Sequence, residues 1–276
     1  MRIFTQKADI LNFILEKKAS ATIGFVPTMG ALHHGHRALF ELCRAQNEVA
    51  VASIFVNPMQ FNNPEDLQKY PRTPEADLAM LEAAGFDAVF VPDAEKLFEG
   101  EDFPQPDLGS LNDVMEGKFR PGHFEGVYKI VWLLFRYVQP DKAYFGQKDY
   151  QQLAVIRRMV QQEDLPVEVI GCPTVREADG LAMSSRNMRL DAASREKAAA
   201  VSRYLLSLQR HFTLSAAEMK AAFEALTRSL GFEPEYIELA DAVTLQPLDR
   251  FSGAPAVICM AYYAGPVRLI DNVTLN

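Results

Sequence analysis

The chain has 276 residues, which is enough for one large domain or two unequal ones. Apolar residues make up 49% and charged residues 23%, and this balance argues against a disordered chain, a collagen-like fibre or a disulfide-stapled mini-protein. With 28 Lys and Arg against 36 Asp and Glu, the net charge is -8, so no overall positive field attracts nucleic acid or anionic lipid. We therefore expect any polyanion to bind only locally.

The first half of the chain alternates short apolar runs with helical patterns. The runs at residues 22–26, 48–56, 88–91 and 143–145 predict buried strands, the first ended by Pro27 and the second by Asn57 and Pro58. Strand, helix and strand in this order predict right-handed crossovers and a parallel sheet, so the fold class is α/β. Ligands of such sheets bind at the carboxyl ends of the strands, and we expect the functional residues in the loops that follow them.

The pattern changes near residues 175–186, where we place a domain boundary. Before it lie an apolar helix at 127–138, a helix at 149–162 and a strand at 167–170. After it the chain is helical at 191–209 and 216–230, and apolar runs at 236–239, 256–262 and 267–270 predict antiparallel strands.

The cysteines and the chain start bear on the compartment. Cys43, Cys172 and Cys259 form no CxxC pair, which favours a reducing compartment. Charged residues come too early for a signal peptide, and no uncharged apolar run approaches the roughly eighteen residues that span a bilayer. We expect a cytoplasmic protein with no membrane segment.

The first donor-rich segment, residues 27–36, follows a predicted strand and begins a helix. A helix N-terminus offers unpaired N–H groups and a partial positive charge, which suit a phosphate. His33 and His36 are three apart, so they share a face if the first helical turn includes both, whereas His34 points away and should be exposed. The alternative is that these histidines cap the helix and bond the adjoining loop. Zinc is disfavoured because no cysteine lies nearby in the sequence.

The second segment, residues 55–61, ends the second predicted strand. Asn57 and Gln60 offer amides beside Met29 and other apolar side chains, which suits a small polar molecule with an apolar middle. The alternative is an Asn-Pro turn around a core phenylalanine. Residues 70–73 then either fold over the site or lead into a helix that begins at Pro74.

The third segment, residues 146–152, also joins a strand to a helix. Lys148 can neutralise phosphate charge, Gly146 permits a close approach, and Gln152 would face the cleft one turn into the helix. The spacing is not that of a Walker A loop.

The fourth segment, residues 175–187, contains two hydroxyls followed by an arginine, a compact set of donors for phosphate oxygens. The alternative is a polar interdomain loop in which Ser184 or Ser185 caps a helix. Because four donor-rich segments occur together, and three of them follow predicted strands, we favour a phosphate-handling site.

Five motifs in this order and spacing closely resemble the pantothenate synthetase (pantoate-β-alanine ligase) family of the nucleotidylyl-transferase superfamily: PTMGALHxGH, FVNPMQF, YPRT, GQKDYQQL and READGLAMSSRN. The resemblance implies a Rossmann-like parallel-sheet domain in residues 1–175, a smaller α+β lid domain in residues 176–276, and a homodimer. It also implies an AMP-forming ligase that uses Mg²⁺ and ATP to join (R)-pantoate and β-alanine through an enzyme-bound pantoyl adenylate. Neither nucleic acid nor a membrane is an implied partner.

The resemblance further implies roles for individual residues. The catalytic set would be His33, His36, Lys148, Ser184, Ser185 and Arg186, with His36 the residue that the family treats as a proton donor. Their chemistry suits preorganised electrostatic stabilisation of phosphate charge better than nucleophilic attack. ATP would contact Met29, Gly30, Ala31, Leu32, His33, His34, Gly35, His36, Gly146, Gln147, Lys148, Asp149, Val175, Met183, Ser184, Ser185 and Arg186. Pantoate would contact Gln60, Gln152, Asn57 and Met29, with Gln60 also reaching β-alanine, and Asp77 would help to organise Mg²⁺, whose protein ligands stay unassigned.

Two further functions compete with this interpretation. A nucleotidyltransferase acting on a phosphate acceptor would need another basic subsite, whereas Asn57 and Gln60 are uncharged. An RNA-binding module that keeps the motifs without the chemistry is disfavoured by the net charge of -8. The chain departs from the family pattern at Tyr128, Trp132 and Leu133, which puts the packing of that helix in question.

Overall fold

The computed structural model describes residues 1–62 and 64–276, and these form two compact units. The first unit comprises Met1–Leu108, Arg120–Gln147 and Gln152–Pro173, and the second comprises Gly109–Phe119, Lys148–Gln151 and Thr174–Asn276. The second unit thus takes two short segments from earlier in the chain. The domain boundary after residue 175 stays a prediction.

The first unit is built on a six-stranded parallel sheet in the order β1-β4-β3-β2-β5-β6. Its strands are β1 (Arg2–Phe4), β2 (Ile23–Thr28), β3 (Val49–Ile54), β4 (Ala88–Phe90), β5 (Lys142–Gly146) and β6 (Glu168–Cys172). The central strands β2 and β3 are almost entirely buried, as their unbroken apolar runs predict for a sheet covered on both faces. The predicted α/β class with a parallel sheet is confirmed.

Ten α-helices occur in the described chain. They are α1 (Lys7–Lys18), α2 (His34–Gln46), α3 (Pro64–Gln68), α4 (Pro74–Ala83), α5 (Ala94–Phe98), α6 (Met115–Phe119), α7 (His123–Val138), α8 (Tyr150–Gln162), α9 (Ala192–Arg210) and α10 (Ala216–Ser229). Short 3-10 turns lie at Pro58–Gln60, Gly109–Asn112, Gln147–Asp149 and Ser185–Arg189. Within these described residues, no helix is both long and apolar enough to cross a membrane.

The prediction that Pro27 ends the first buried strand is wrong, because β2 continues through it to Thr28. Proline lacks an N–H and is tolerated where the ladder does not need one. The pairing of β2 with β5 involves only Gly24 and Phe25, whereas its pairing with β3 extends to Thr28. Pro27 therefore removes no hydrogen bond from the pairing of β2 with β3, which continues to Thr28.

The three departures from the family pattern lie on α7 and are packing positions. Tyr128 and Leu133 are fully buried, and the Tyr128 hydroxyl donates to Glu163 Oε1 over 2.7 Å. Trp132 is half-buried, and the Arg136 guanidinium lies 4.8 Å from its ring centroid. A helix with large side chains at these places is therefore accommodated within the first unit.

The second unit contains a three-stranded antiparallel sheet in the order β7-β8-β9, as predicted in kind. The strands are β7 (Glu233–Asp241), β8 (Ala256–Ala264) and β9 (Val267–Leu275), and α9 and α10 pack apolar side chains against them. The predicted runs at 236–239 and 267–270 are too short. The apolar pattern of β7 is interrupted by Glu235 and that of β9 by Asp271, so the pattern predicts shorter strands. Both carboxylates are paired with arginines of the same unit.

Candidate active site

The loop between β2 and α2 brings the two predicted histidines together at the N-terminus of α2. The Nδ1 atom of His33 accepts from the backbone N–H of Gly35 over 3.1 Å, and the Nδ1 atom of His36 accepts from the backbone N–H of His33 over 3.2 Å. Their ring centroids are 4.2 Å apart. His33 therefore lies just before the first helical turn, and the capping alternative correctly describes these backbone contacts. The exposed position predicted for His34 is confirmed.

These contacts also determine which ring nitrogen carries the proton. An N–H group can donate only to an unprotonated nitrogen, so Nδ1 of each ring is the acceptor. In the neutral form the proton then resides on Nε2, which becomes a hydrogen-bond donor. Helix capping and anion binding are thus compatible, since each uses a different nitrogen of His33 and His36.

The same loop is held by a buried carboxylate on α4. Asp77, only 2% exposed, accepts from the backbone N–H groups of Ala31 at 2.9 Å and Leu32 at 2.8 Å. The hydroxyl of Thr73 also donates to it, over 3.1 Å. Ala31 has φ +49°, in the left-handed region, and a carboxylate that holds its N–H helps to maintain this strained conformation.

Asp77 therefore has a visible task that differs from metal binding, the role that the family resemblance implied for it. Both of its oxygens face donors of the protein itself. The spacing of Thr73 and Asp77 across the first turn of α4 was the available signal, since a residue at the helix start and one four positions on lie on one face. The alternative that residues 70–73 lead into a helix at Pro74 is confirmed.

Asn57 and Gln60, which follow β3, form a second contact group with Met29, which follows β2. Asn57 accepts from the backbone N–H of Met59 over 3.2 Å, and its amide nitrogen donates to Gln60 Oε1 over 3.1 Å. The Gln60 amide nitrogen in turn lies 3.0 Å from Met29 Sδ. Both amide side chains are buried. The predicted Asn-Pro turn is therefore present. Within it, the Asn57 amide orients the Gln60 side chain.

Helix α7 supports this turn through residues that sequence reasoning missed. The Asn57 amide nitrogen donates to the Gly126 carbonyl over 3.0 Å, and His123 Nδ1 lies 2.8 Å from the Gln60 carbonyl oxygen. A Cβ atom on Gly126 would lie 2.6 Å from the carbonyl carbon of Met59 and 2.9 Å from the Gln60 nitrogen. A single glycine among large residues on a buried helix was the signal for this close approach.

Residues 146–152 follow β5 and are divided between the two units. Gly146 ends β5, and a Cβ atom added there would have no atom of the described residues within 4 Å other than those of Gly146 and its chain neighbours. Lys148 lies in the turn Gln147–Asp149, and Gln152 is half-buried in the first turn of α8. The predicted loop-to-helix junction is confirmed, whereas the binding roles of these residues stay predictions.

Within the second unit, the fourth segment forms a short antiparallel hairpin. Arg176 and Ala182 form a backbone bridge, and the Met183 N–H donates to the Val175 carbonyl over 3.0 Å. The Ser184 hydroxyl oxygen accepts from the Arg186 N–H over 3.2 Å and begins the turn Ser185–Arg189. Val175 therefore lies beside residues 183–186. The alternative prediction that Ser184 caps a helix is confirmed for a 3-10 turn.

A protein-only metal site does not fit the arrangement. Among the residues that the structure describes, no group of three or more His, Cys, Asp or Glu could hold a metal ion. Asp77 already accepts three hydrogen bonds from protein groups.

The polar residues in the loops after β2 and β3 form a candidate site of the kind that α/β enzymes have at the carboxyl ends of a parallel sheet. The family described as Pantoate-beta-alanine ligase matches residues 2–274. Pantothenate synthetase of Porphyromonas gingivalis (strain ATCC 33277) is 48% identical, with 99% of each chain covered, and that of Corynebacterium glutamicum (strain R) is 45% identical, with 100% of each covered. The chain belongs to the pantoate-beta-alanine ligase family, which confirms the resemblance and the enzyme class.

Solved structures agree with this assignment. Pantothenate synthetase from Thermus thermophilus has a TM-score of 0.89 and 44% sequence identity, covering 99% of both chains. Pantoate-beta-alanine ligase from Francisella tularensis has a TM-score of 0.84 and 33% identity, covering 99% of this chain and 97% of its own. The latter structure is a complex with beta-gamma ATP and beta-alanine.

Proposed function

We propose that the protein condenses (R)-pantoate with β-alanine in an ATP-dependent reaction that passes through a pantoyl adenylate and yields pantothenate, AMP and pyrophosphate. The family assignment and the ATP and β-alanine complex of the Francisella tularensis relative support this reaction. The structural observation that carries it is the capped pair His33 and His36, whose geometry directs both rings to serve as Nε2–H donors.

In the first half-reaction a pantoate carboxylate oxygen bonds to the α-phosphorus, and the bond from that phosphorus to the bridging oxygen breaks as pyrophosphate leaves. Negative charge develops on the phosphate oxygens, so donors already held in place lower the barrier most effectively. His33 and His36 supply such donors from the first unit. Lys148 and Arg186 would supply positive charge, and Ser184 and Ser185 would supply hydroxyl donors.

We assign His36 an electrostatic role rather than that of a proton donor. A neutral ring that gave up its Nε2 proton would become an imidazolate, a strong base, so proton transfer requires a doubly protonated ring. Protonation of Nδ1 would place two N–H groups against each other, because the His33 N–H already points at that atom. The ring therefore stabilises charge while keeping its proton.

In the second half-reaction the β-alanine amine attacks the acyl carbon of the adenylate, AMP leaves with the electron pair of the acyl–oxygen bond, and the nitrogen loses a proton to form the amide. Gln60 and Gln152 would hold pantoate, and Gln60 would also reach β-alanine. We assign Asn57 to orient Gln60, because its own amide group is already bonded to Met59, Gln60 and Gly126.

Four finer features belong to the same proposal. ATP acts as its Mg²⁺ complex, the protein is a homodimer, residues 176–276 act as a lid, and the enzyme works in the cytoplasm. Three buried free cysteines among the described residues support a reducing compartment. Light scattering of the purified protein at several concentrations tests the dimer, and a monomer mass throughout would contradict it.

Pantoate-dependent exchange of labelled pyrophosphate into ATP, with Mg²⁺ present and β-alanine omitted, tests the first half-reaction. We expect exchange that requires pantoate and stops when pantoate is left out. A folded protein that binds ATP without exchange would contradict a reversible adenylate step. Product analysis with all three substrates would then separate two explanations. Formation of pantothenate and AMP would indicate a concerted reaction, and no formation of pantothenate would indicate a different acid substrate.

A further inference from the structure

Two adjacent residues of β9, Asp271 and Asn272, contact Arg176 of the fourth donor-rich segment and Lys148 of the third, both in the second unit. We propose that they are positioning residues for adenylate formation, which fix Lys148 and residues 183–186 relative to one another. The inference rests on the proposed function and deepens it, because it names what aligns the cationic and hydroxyl donors. Neither residue belongs to a motif that sequence reasoning singled out.

Asn272 holds the backbone at Lys148. Its amide nitrogen donates to the Lys148 carbonyl oxygen over 2.7 Å, and the residue is only 6% exposed. Lys148 lies in a single 3-10 turn between a strand and a helix, so the place of its main chain determines where its side chain starts. Because this hydrogen bond is buried, breaking it would leave the Lys148 carbonyl unsatisfied and would free the turn to shift.

Asp271 holds the hairpin that leads to residues 183–186. Its two carboxylate oxygens accept from the Arg176 guanidinium at 2.7 and 3.0 Å, a bidentate pair in which the carboxylate residue is only 5% exposed. The same guanidinium donates to the Asn272 carbonyl and to the Gly180 carbonyl, each over 3.1 Å. Arg176 is thus fixed both to β9 and to the tip of its own hairpin.

The hairpin transmits this position to the hydroxyl and guanidinium donors. Arg176 bridges Ala182 in the backbone, and the next residue, Met183, donates to the Val175 carbonyl over 3.0 Å. The side-chain amide of Asn187 donates to the Ala182 carbonyl over 3.0 Å and closes the segment from its other end. Residues 183–186 are therefore held by backbone hydrogen bonds of the hairpin at one end and by the Asn187 amide at the other.

Both contacts start from one strand, β9, which is held in a sheet. Successive residues of a strand point to opposite faces, so Asp271 shares a face with the core residues Leu269 and Val273, whereas Asn272 shares the opposite face with Arg268. β9 pairs with β8 along its full length, including both positions. Two segments far apart in sequence are thus positioned from one point of one sheet, and a displacement of about 1 Å is enough to cost a catalyst roughly 100-fold in rate.

The test compares Asn272→Ala and Arg176→Lys with Thr227→Val in the full-length protein. Arg176→Lys keeps a positive charge beside Asp271 but removes the bidentate geometry. Thr227→Val is the matched control, because Thr227 is fully buried in the same unit and also donates to a backbone carbonyl, that of Phe223, over 2.8 Å. It contacts neither Lys148 nor the hairpin through that bond.

Two half-reactions are measured for each variant, together with thermal unfolding. For Asn272→Ala and Arg176→Lys we expect pantoate-dependent pyrophosphate exchange to fall about 10- to 100-fold, with a raised KM for ATP. Amide formation from supplied pantoyl adenylate and β-alanine should change at least ten times less, because pyrophosphate does not take part in it. Thr227→Val should lose thermal stability without this selectivity.

Equal losses in both half-reactions, or the same selectivity in Thr227→Val, would overturn the positioning role. Exchange at the unchanged rate in Asn272→Ala would also overturn it while leaving the proposed function intact. Failure of the unaltered protein both to exchange pyrophosphate and to form pantothenate would overturn the proposed function, and this inference with it.

Discussion

The backbone N–H of His33 donates to Nδ1 of His36 across 3.2 Å, so each of these residues limits what the other can do. The contact holds the His36 ring in one orientation and keeps its Nδ1 atom unprotonated. It also satisfies an N–H at the start of α2 that would otherwise lack a helical partner. Structural and chemical roles of the ring can therefore be separated by substitution.

Substitutions of His36 separate the two roles. His36→Asn places an amide oxygen near the former Nδ1 position and removes the Nε2 donor, whereas His36→Gln places an amide nitrogen near the former Nε2 position. We expect His36→Asn to unfold at a temperature close to that of the unaltered protein and to lose about 10²- to 10³-fold in pyrophosphate exchange. His36→Gln should recover part of the rate. Loss of stability and rate in proportion would contradict the catalytic assignment.

Asp77→Asn should slow exchange because an amide NH₂ would face a backbone N–H of the histidine loop. The expected loss is about ten-fold or more in rate and about 1–3 kcal/mol in the free energy of unfolding. Thr73→Val removes only the hydroxyl bond to Asp77 and is the control, with a small effect on both quantities. Raising the Mg²⁺ concentration should not restore Asp77→Asn, and full restoration would instead identify Asp77 as a metal ligand.

Gly126→Ala should weaken pantoate more than ATP. The added methyl group would press on the backbone of Met59 and Gln60, which it would approach to 2.6 and 2.9 Å. The turn that orients Gln60 must then shift, although alanine is the better helix former by about 1 kcal/mol. Steady-state measurements should show a raised KM for pantoate with the KM for ATP almost unchanged. An unchanged pantoate KM would remove Gln60 from the acid pocket.

Gln152→Ala should also act on pantoate, since the amide is predicted to hold the acid. We expect the KM for pantoate to rise about ten-fold while the ATP affinity stays close to that of the unaltered protein. Gln161→Ala is a suitable control, because Gln161 is exposed near the other end of α8. A fall in ATP affinity in Gln152→Ala would place this residue in the nucleotide site instead.

Stability should depend on pH through Glu101. Burial raises the pKa of its carboxyl group, but hydrogen bonds from Lys7 and Tyr137 and the charge of Lys7 outweigh burial and leave that pKa below its usual range. Because the folded-state pKa is the lower one, the stabilisation is complete above the unfolded-state pKa of about 4.3 and disappears as pH falls through the folded value.

Glu101→Gln should therefore lower the free energy of unfolding by about 1.5–3 kcal/mol at pH 7 and by progressively less as the pH approaches 3. Unfolding by urea across this pH range measures the difference. Glu16→Gln, which alters an exposed ion pair with Lys17, should show almost no pH-dependent loss. A constant difference at all pH values would mean that packing, and not charge, underlies the effect of Glu101→Gln.

Sequence patterns predicted the buried parts of the fold better than its edges. Strands β2 and β3 stand out because both faces are covered, whereas β1 (Arg2–Phe4) was missed because it has three residues and two of them are exposed. β9 was predicted too short because Asp271 interrupts its apolar pattern. The partner of Asp271, Arg176, is remote in sequence, so the local pattern could not show that the carboxylate is paired.

The candidate site shows the same division. His33 and His36 were found because a short motif joins a strand to a helix. Asp77 and Asn272 act on backbone atoms of distant segments, and a hydrogen bond to a main-chain group leaves no pattern in the sequence that receives it. Contacts of this kind require the folded arrangement, since any residue type can supply the backbone partner.

Pro27 also lies where the pairing of β2 with β5 ends. The chain runs from β2 outward to β3 and β4 on one side and returns to β5 and β6 on the other, so the strand order reverses between β2 and β5. The last paired residue of β2 on that side is Phe25, and Pro27 has no N–H with which to continue the ladder toward β5. Crevices at such reversal points are where open parallel sheets bind their ligands. The missing amide proton of Pro27 thus lies at the reversal point of this sheet, where β2 stops pairing with β5.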